Sequence, residues 1–249
     1  RQMCIRDRYK MNIFDVHIKN GEIIDGTGAP KFKSDIVIDK GKIIAVFPAE
    51  NGDVRDPSEN HFLSNFKAKH TINAESKIIS PGFIDVHTHD DDNVFLDPSM
   101  SSKISQGVTT CVAGNCGISL APFSYKGEVP APIALLGKSE VFRFPRVSDY
   151  KEEFNYKPSS VNLALLTGHS MLRVEAMNGQ FARPATTKEI SKMVDKLKLA
   201  LEDGSIGLST GLAYPAANDA PTSEIIELAK ILPEFNGIFT THMRNEAVD

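Results

Sequence analysis

Two hydrophobic periodicities divide the chain. Up to about residue 80, apolar and polar positions alternate in short runs broken by turn residues, the period-2 pattern of half-buried strands. Residues 14–19 run into Asn20-Gly21 and then Glu22-Ile23-Ile24-Asp25, which predicts a tight hairpin. Residues 34–39, Lys40-Gly41 and residues 42–46 predict a second hairpin. Residues 50–70 are polar and aperiodic and predict a loop or an insertion. Thr71-Ile72-Asn73 and Lys77-Ile78-Ile79 predict a third hairpin around Ala74-Glu75-Ser76. Together these pieces predict a small β-sandwich unit over residues 11–80. Residues 1–10 are basic, without period and unrelated to the rest of the chain, so they are set aside as a tail, Cys4 with them; Met11 is then the expected natural start.

From residue 83 the pattern changes to apolar strands alternating with helical segments, the signature of βα units. Strands are predicted at 83–89, 108–116, 161–167, 205–212 and 237–243. Between them fall a helix at 98–106 closed by Gly107, and a long irregular segment at 122–158 rich in Pro, Phe and Arg. A helix capped by Thr186 or Thr187 comes next, with Ile190, Met193, Val194, Leu197 and Leu201 on one face, and then a helix at 223–231 capped by Thr222. A (β/α)8 barrel needs eight such repeats and five are visible. An open five-stranded sheet would also satisfy the pattern, but the histidine-bearing ends all fall at strand C-termini, the active face of a barrel. The predicted fold class is therefore α/β: a TIM barrel over residues 81–249, truncated after about strand five, preceded by the small sandwich.

Composition narrows the function. The 249 residues are 41% apolar, ample for a core, and carry a net charge of −4, which favours neither nucleic acid nor an anionic membrane as partner. No apolar run is long enough to span a bilayer. Three cysteines, Cys4, Cys111 and Cys116, do not make a disulfide scaffold, so a reducing, cytoplasmic setting is expected.

Chemistry gathers at predicted strand ends. His87 and His89 lie two apart, so a strand projects both from one face, which is half of a metal site. Cys116 closes the second strand and His242 the fifth. Alone, Cys116 would serve equally as a buried structural thiol, and His242 as a buried histidine. Three strands ending in such ligands at one face lift both, and the His, His, Cys, His set suits Zn²⁺ rather than Mg²⁺ or Ca²⁺. Cys111, five residues earlier, faces the other way and is expected in the core. The site predicts metal-assisted hydrolysis, which needs a carboxylate base. Asp90, Asp91 and Asp92 stand nearby but are expected to be a solvated or capping acidic run. His169, Tyr214 and Arg244 also lie at the barrel mouth, as candidates for substrate contact or for packing alone.

Four runs carry a resemblance: Pro-Gly-Phe-Ile-Asp-Val-His-Thr-His-Asp-Asp (81–91), Gly-Val-Thr-Thr-Cys-Val-Ala-Gly-Asn-Cys-Gly-Ile-Ser-Leu-Ala-Pro (107–122), Ser-Thr-Gly-Leu-Ala-Tyr-Pro (209–215) and Thr-His-Met-Arg-Asn-Glu (241–246). They resemble the N-acyl-D-amino-acid deacylase (D-aminoacylase) family of the amidohydrolase superfamily, from about Phe14 to the end of the chain. The first run is superfamily-wide; Gly-Asn-Cys-Gly is far more specific to the deacylase branch. The resemblance implies a metal-dependent (β/α)8 barrel on a small β-sandwich. It implies zinc held by His87, His89, Cys116 and His242, one ion tightly and a second as an option. It also implies hydrolysis of a small N-acyl-D-amino acid to a carboxylate and a D-amino acid. The family draws another histidine from strand six and a catalytic aspartate from strand eight. Both are expected beyond residue 249, so the chain is expected to be an N-terminal fragment, inactive alone. Two alternatives stand beside this: a cyclic-amide hydrolase of the dihydropyrimidinase or dihydroorotase type, which would need a lysine in strand four, and a non-catalytic metal-binding scaffold.

Overall fold

The computed structural model describes residues 12–48, 66–245 and 247. The expected tail at 1–10, and most of the expected loop at 50–70, lie outside the described residues. The chain divides into two compact units at Pro81/Gly82.

The first unit is one mixed sheet. Strand β1 (Asn12–Ile23) is central; β2 (Phe32–Asp39) and β3 (Lys42–Pro48) come after it, each antiparallel to the one before, giving the order β3-β2-β1-β4 with β4 at Phe66–Asn73. The turn at Lys40-Gly41, both at positive φ, is the predicted second hairpin. The first predicted hairpin is not formed. Asn20 takes a left-handed φ of 64°, but the chain runs straight on, and the register against β2 slips between Ile18 and Gly21. Asn20-Gly21 is a bulge. The Asn20 amide N–H donates to Asp35 (2.9 Å) and its side chain to Asn73 (3.1 Å). A Cβ on Gly21 would sit 2.2 Å from the Cδ1 of Ile79, so a larger residue there would have to push that side chain aside.

The third predicted hairpin is also corrected. Strands β4 and β5 (Ile78–Ile79) both run parallel to β1, on either side of the bulge, and do not pair with each other. The intervening turn, Lys77 N–H to Ala74 O at 2.9 Å, carries the chain past the bulge. Residues 66–70, expected in a loop, belong to β4. Among the described residues this unit is a single sheet; a facing layer of a sandwich is not among them.

The second unit is a parallel sheet with helices. Strand β6 (Phe83–Asp85) is succeeded by short helices α1 (Asn93–Leu96) and α2 (Ser101–Ile104), then β7 (Val108–Ala113). A two-stranded ribbon, β8 (Phe123–Ser124) with β9 (Arg143–Phe144), and helix α3 (Val147–Tyr156) precede β10 (Asn162–Gly168). Helices α4 (His169–Ala176) and α5 (Thr187–Glu202), strand β11 (Gly207–Gly211), helix α6 (Thr222–Ala229) and strand β12 (Ile238–His242) complete it. The sheet order is β6-β7-β10-β11-β12, every pair parallel and in chain order, as in consecutive strands of an α/β barrel. All five C-termini therefore share one edge.

Several expectations change here. Strand β6 ends at Asp85, so His87 and His89 come after the strand rather than lie within it. The segment 122–158 is not irregular throughout: Phe95, Phe144, Tyr150 and Phe154 pack ring against ring around α3 and β9. Helix α4 has no counterpart in the sequence pattern, because seven of its eight residues are buried and no polar face marks a period. Helix α5 matches, with Thr186 as its cap and Glu189 closing a capping box. Thr222 is the first residue of α6, not its cap; Pro221 holds that position with no side-chain bond.

Two clusters form the core. One gathers Cys111, Ala113, Ile118, Leu120, Phe123, Phe142, Phe144 and Tyr150 around β7 and the ribbon. The other locks α4, α5 and α6 through Leu172, Met193, Leu197, Leu201, Leu208 and Leu228.

Candidate metal centre

Backbone pairing brings the first two candidate ligands to the edge of β7. Beyond Asp85 the chain still pairs with it through Thr88 N–H to Val112 O, 3.2 Å. A clamp holds this segment from below: Lys103 of α2 bonds Asp85 at 2.6 Å and Asp90 at 3.0 Å, while the Thr88 hydroxyl donates to Asp90. The rings of His87 and His89 stand 5.7 Å apart, nearly perpendicular.

The third ligand arrives by a tight turn. After Ala113 the chain passes through Gly114 (φ 78°), Asn115, Cys116 (φ 55°) and Gly117 (φ 75°), a turn with three left-handed residues, a conformation that glycine permits and cysteine rarely adopts. A Cβ on Gly114 would lie 2.1 Å from Leu166 O of β10. The Asn115 amide donates to Val112 O at 2.8 Å and Val86 O at 3.4 Å, tying two strand ends together. Ser209 of β11 accepts from Gly117 N–H (3.0 Å) and donates to Gly114 O (2.5 Å). The outcome is that Cys116 Sγ lies 3.0 Å from His87 Nε2. Ligand atoms of His87, His89 and Cys116 all fall within 4.8 Å of one another.

This donor set suits zinc in kind: two imidazoles and a sulfur, with no oxygen-rich shell. Surrounding protein and the adjacent His87 hold His89 below its ordinary value against the opposing pull of Asp90, favouring the neutral ring that ligates. Burial pushes the Cys116 thiol up, opposed by a hydrogen bond from Tyr214. Cys111, in β7, is buried in the core and stands outside the cluster of three.

The remaining candidates have separate settings. His242 closes β12, its Nδ1 3.0 Å from Met243 O, and stands outside the cluster of three. Its ring lies 4.9 Å from that of Tyr214, so Tyr214 touches both Cys116 and His242. Arg244 is exposed and donates to Asn218 O (2.8 Å) and Ala220 O (2.9 Å), pinning the loop that carries Tyr214. His169 has no exposed surface, and its Nε2 lies 2.9 Å from Glu224 of α6. Arg173 meets the same carboxylate at 2.6 Å and donates to Ala216 O. Burial lowers His169 and would raise Glu224, but the bonds from His169 and Arg173 outweigh it and keep Glu224 below its ordinary value. His169 thus fastens α4 to α6.

Sequence patterns missed the structural roles of Asp91, Asn115 and Lys103. Asp91, which its sequence places in a solvated or capping acidic run, is fully buried, accepting from Gly114 N–H and Leu120 N–H at 3.3 Å each. Burial pushes its carboxyl up to about 7, with the two amides opposing. The Gly-Asn-Cys-Gly turn was the available signal for Asn115, since such a turn must be stitched by neighbouring polar groups.

Comparison with known proteins agrees with this geometry. The amidohydrolase family profile matches residues 70–235. The D-aminoacylase of Alcaligenes xylosoxydans xylosoxydans is 41% identical over 234 residues, 94% of this chain and 45% of that protein. A solved D-aminoacylase with a binuclear metal centre superposes with a TM-score of 0.82 at 42% identity, over 94% of this chain and 46% of that one. The N-acyl-D-glutamate deacylase of Bordetella bronchiseptica, solved with zinc and a phosphonate mimic of the tetrahedral intermediate, gives 0.83 at 39% identity, over 95% and 46%. The chain thus spans about half the length of the relatives it matches. It belongs to the amidohydrolase family, and its likeness there is to the D-aminoacylases.

Proposed function

We propose that the protein hydrolyses the amide bond of N-acyl-D-amino acids, releasing a carboxylate and a free D-amino acid, with zinc held by His87, His89, Cys116 and His242. The observation that carries this is the meeting of His87, His89 and Cys116 within 4.8 Å at the C-terminal ends of two adjacent parallel strands. When bound there, zinc supplies Lewis acidity toward the scissile carbonyl and toward a water. In this reading Tyr214, in touch with Cys116 and His242, donates to the substrate's carbonyl or carboxylate oxygen. Arg244 anchors the Tyr214 loop, and its exposed guanidinium is the second candidate for the substrate carboxylate. One zinc is held tightly in this proposal, with a second as an option, as in the binuclear relative.

Three of the nearby carboxylates are engaged, and the fourth, Asp92, has Arg143 and Glu153 as its charged neighbours. Asp85 and Asp90 bind Lys103, and Asp91 is sealed in the core. The general base is therefore assigned to a residue beyond the 249, and this stretch alone is expected to hold metal weakly and turn over nothing. The N-terminal sheet is taken as the first layer of a small sandwich. A reducing, cytoplasmic setting suits a site built on an unpaired thiol. Among the described residues no helix is long and apolar enough to cross a membrane. The cyclic-amide alternative lacks support, because β11 (Gly-Leu-Ser-Thr-Gly) offers no lysine.

The test is zinc content by elemental analysis of the 249-residue chain and of the product of the whole reading frame. Each is assayed with N-acetyl-D-methionine and its L-isomer. The extended protein should hold zinc and cleave only the D-isomer. Zinc in neither form would leave the scaffold alternative standing instead.

A further inference from the structure

Three contacts meet at Asp91, two residues beyond His89. One carboxylate oxygen accepts the N–H of Gly114, just before Cys116, and the other accepts the N–H of Leu120, just after its turn, at 3.3 Å each. The Asp91 carbonyl accepts the Tyr150 hydroxyl at 2.6 Å, which fixes the main chain from which the carboxylate reaches. Between the two amides sits Cys116 at φ 55°, a conformation that an L-residue keeps only where its surroundings impose it.

We propose that Asp91 is a positioning residue of the metal site: its carboxylate straps both flanks of the Cys116 turn to the segment carrying His87 and His89, so that the sulfur is set beside His87 before a metal binds. This rests on the zinc assignment above. The choice of aspartate is dictated by the geometry. Two N–H donors converge on opposite oxygens, so both must be acceptors. Asparagine would satisfy one amide and turn its own N–H against the other, and alanine would leave both amides buried without a partner. Lys103 holds the histidine segment through Asp85 and Asp90 but makes no bond to the cysteine turn among those described; Asp91 ties the two ligand-bearing segments together at both flanks of the turn, beside the single longer bond from Asn115 to Val86 O.

Asp91→Asn is compared with the parent in the full-length protein, using Co²⁺ as probe in place of zinc. The readouts are cobalt affinity, the thiolate-to-cobalt absorption per bound cobalt, and the melting temperature of the metal-free protein. The variant should bind cobalt roughly 10–100-fold more weakly, the range typical for groups that orient metal ligands. It should also show less thiolate absorption per cobalt at saturation. A lowered melting temperature with unchanged affinity and absorption would make Asp91 merely structural and overturn the proposal. A second measurement needs no substitution: in the metal-free parent, the Gly114 and Leu120 amides should exchange with solvent as slowly as those of β7. Fast exchange at these two amides, with β7 protected, overturns the strap even if the variant does not fold. A parent that binds cobalt with no thiolate absorption would bring down the Cys116 assignment and the strap together. Full absorption in both parent and variant brings down the strap alone.

Discussion

Among single residues, neighbours in sequence part company in space. Asp90 binds Lys103 and Thr88 at the surface of the site, whereas Asp91 is sealed beneath the cysteine turn. The two cysteines of β7 and its turn differ as sharply. Cys111 packs in the core, and Cys116 faces His87. Replacing each by alanine in the full-length protein should separate the roles. Cys116→Ala should lose tightly bound zinc and most activity. Cys111→Ala should keep its zinc and cost about 1 kcal/mol of packing, an ordinary core truncation. Equal zinc content in Cys116→Ala and its parent, by elemental analysis, would sink the ligand assignment.

Among the elements, helix α5 shows local rules working as written. Thr186 caps it, Glu189 returns a bond to Thr186 N–H, and Arg183 pairs with Glu189 at 2.7 Å. Arg183, with the Thr186 bonds, holds the Glu189 carboxyl down at about 2, against 4.5 when unfolded. A depressed carboxyl contributes stability that is present above the unfolded value and lost as pH falls through the folded one. The melting-temperature gap between the parent and Glu189→Gln should therefore be steady above about pH 5 and close between 4.5 and 2. A gap that stays constant through that window would remove the ion pair from the account. The bulge in β1 is the opposite case. Asn20-Gly21 has the composition of a hairpin turn, but β2 on one side and β4 with β5 on the other claim the backbone bonds of both halves of β1.

Across the chain as a whole, two features await test within the second unit. Arg173, His169 and Glu224 form a fully buried charged group joining α4, α6 and the Tyr214 loop. Glu224→Gln leaves a buried guanidinium without its counter-charge, which costs about 3–5 kcal/mol. Denaturant unfolding that finds a loss below about 1 kcal/mol would show that the guanidinium finds another partner. The outer strands of the parallel sheet, β6 and β12, are unpaired on one side among the described residues. They expose Phe83 (60%), Ile84 (60%) and Phe239 (44%). Open apolar strand edges invite pairing with other chains, so the 249-residue chain by itself should self-associate in light scattering. Ile84→Lys with Phe239→Lys should reduce that association; a monodisperse parent would contradict it.

Short-range regularity was enough to read the alternation of strands and helices after residue 83, the cap of α5, and the residue types that converge at the strand ends. Periodicity, a capping box and two histidines two apart are all visible within a few positions of one another. Folding in three dimensions was needed to establish that Asn20-Gly21 bulges, that Asp91 is buried, that α4 is a helix, and that His169 turns to Glu224 rather than outward. In each of these the local signal is silent or points the wrong way. The outcome was set by partners that the chain brings in from 15 to 55 positions away: Asp35 for Asn20, Gly114 and Leu120 for Asp91, Glu224 for His169. Backbone amides and buried charges must find partners, and which partners are within reach is a property of the folded chain alone.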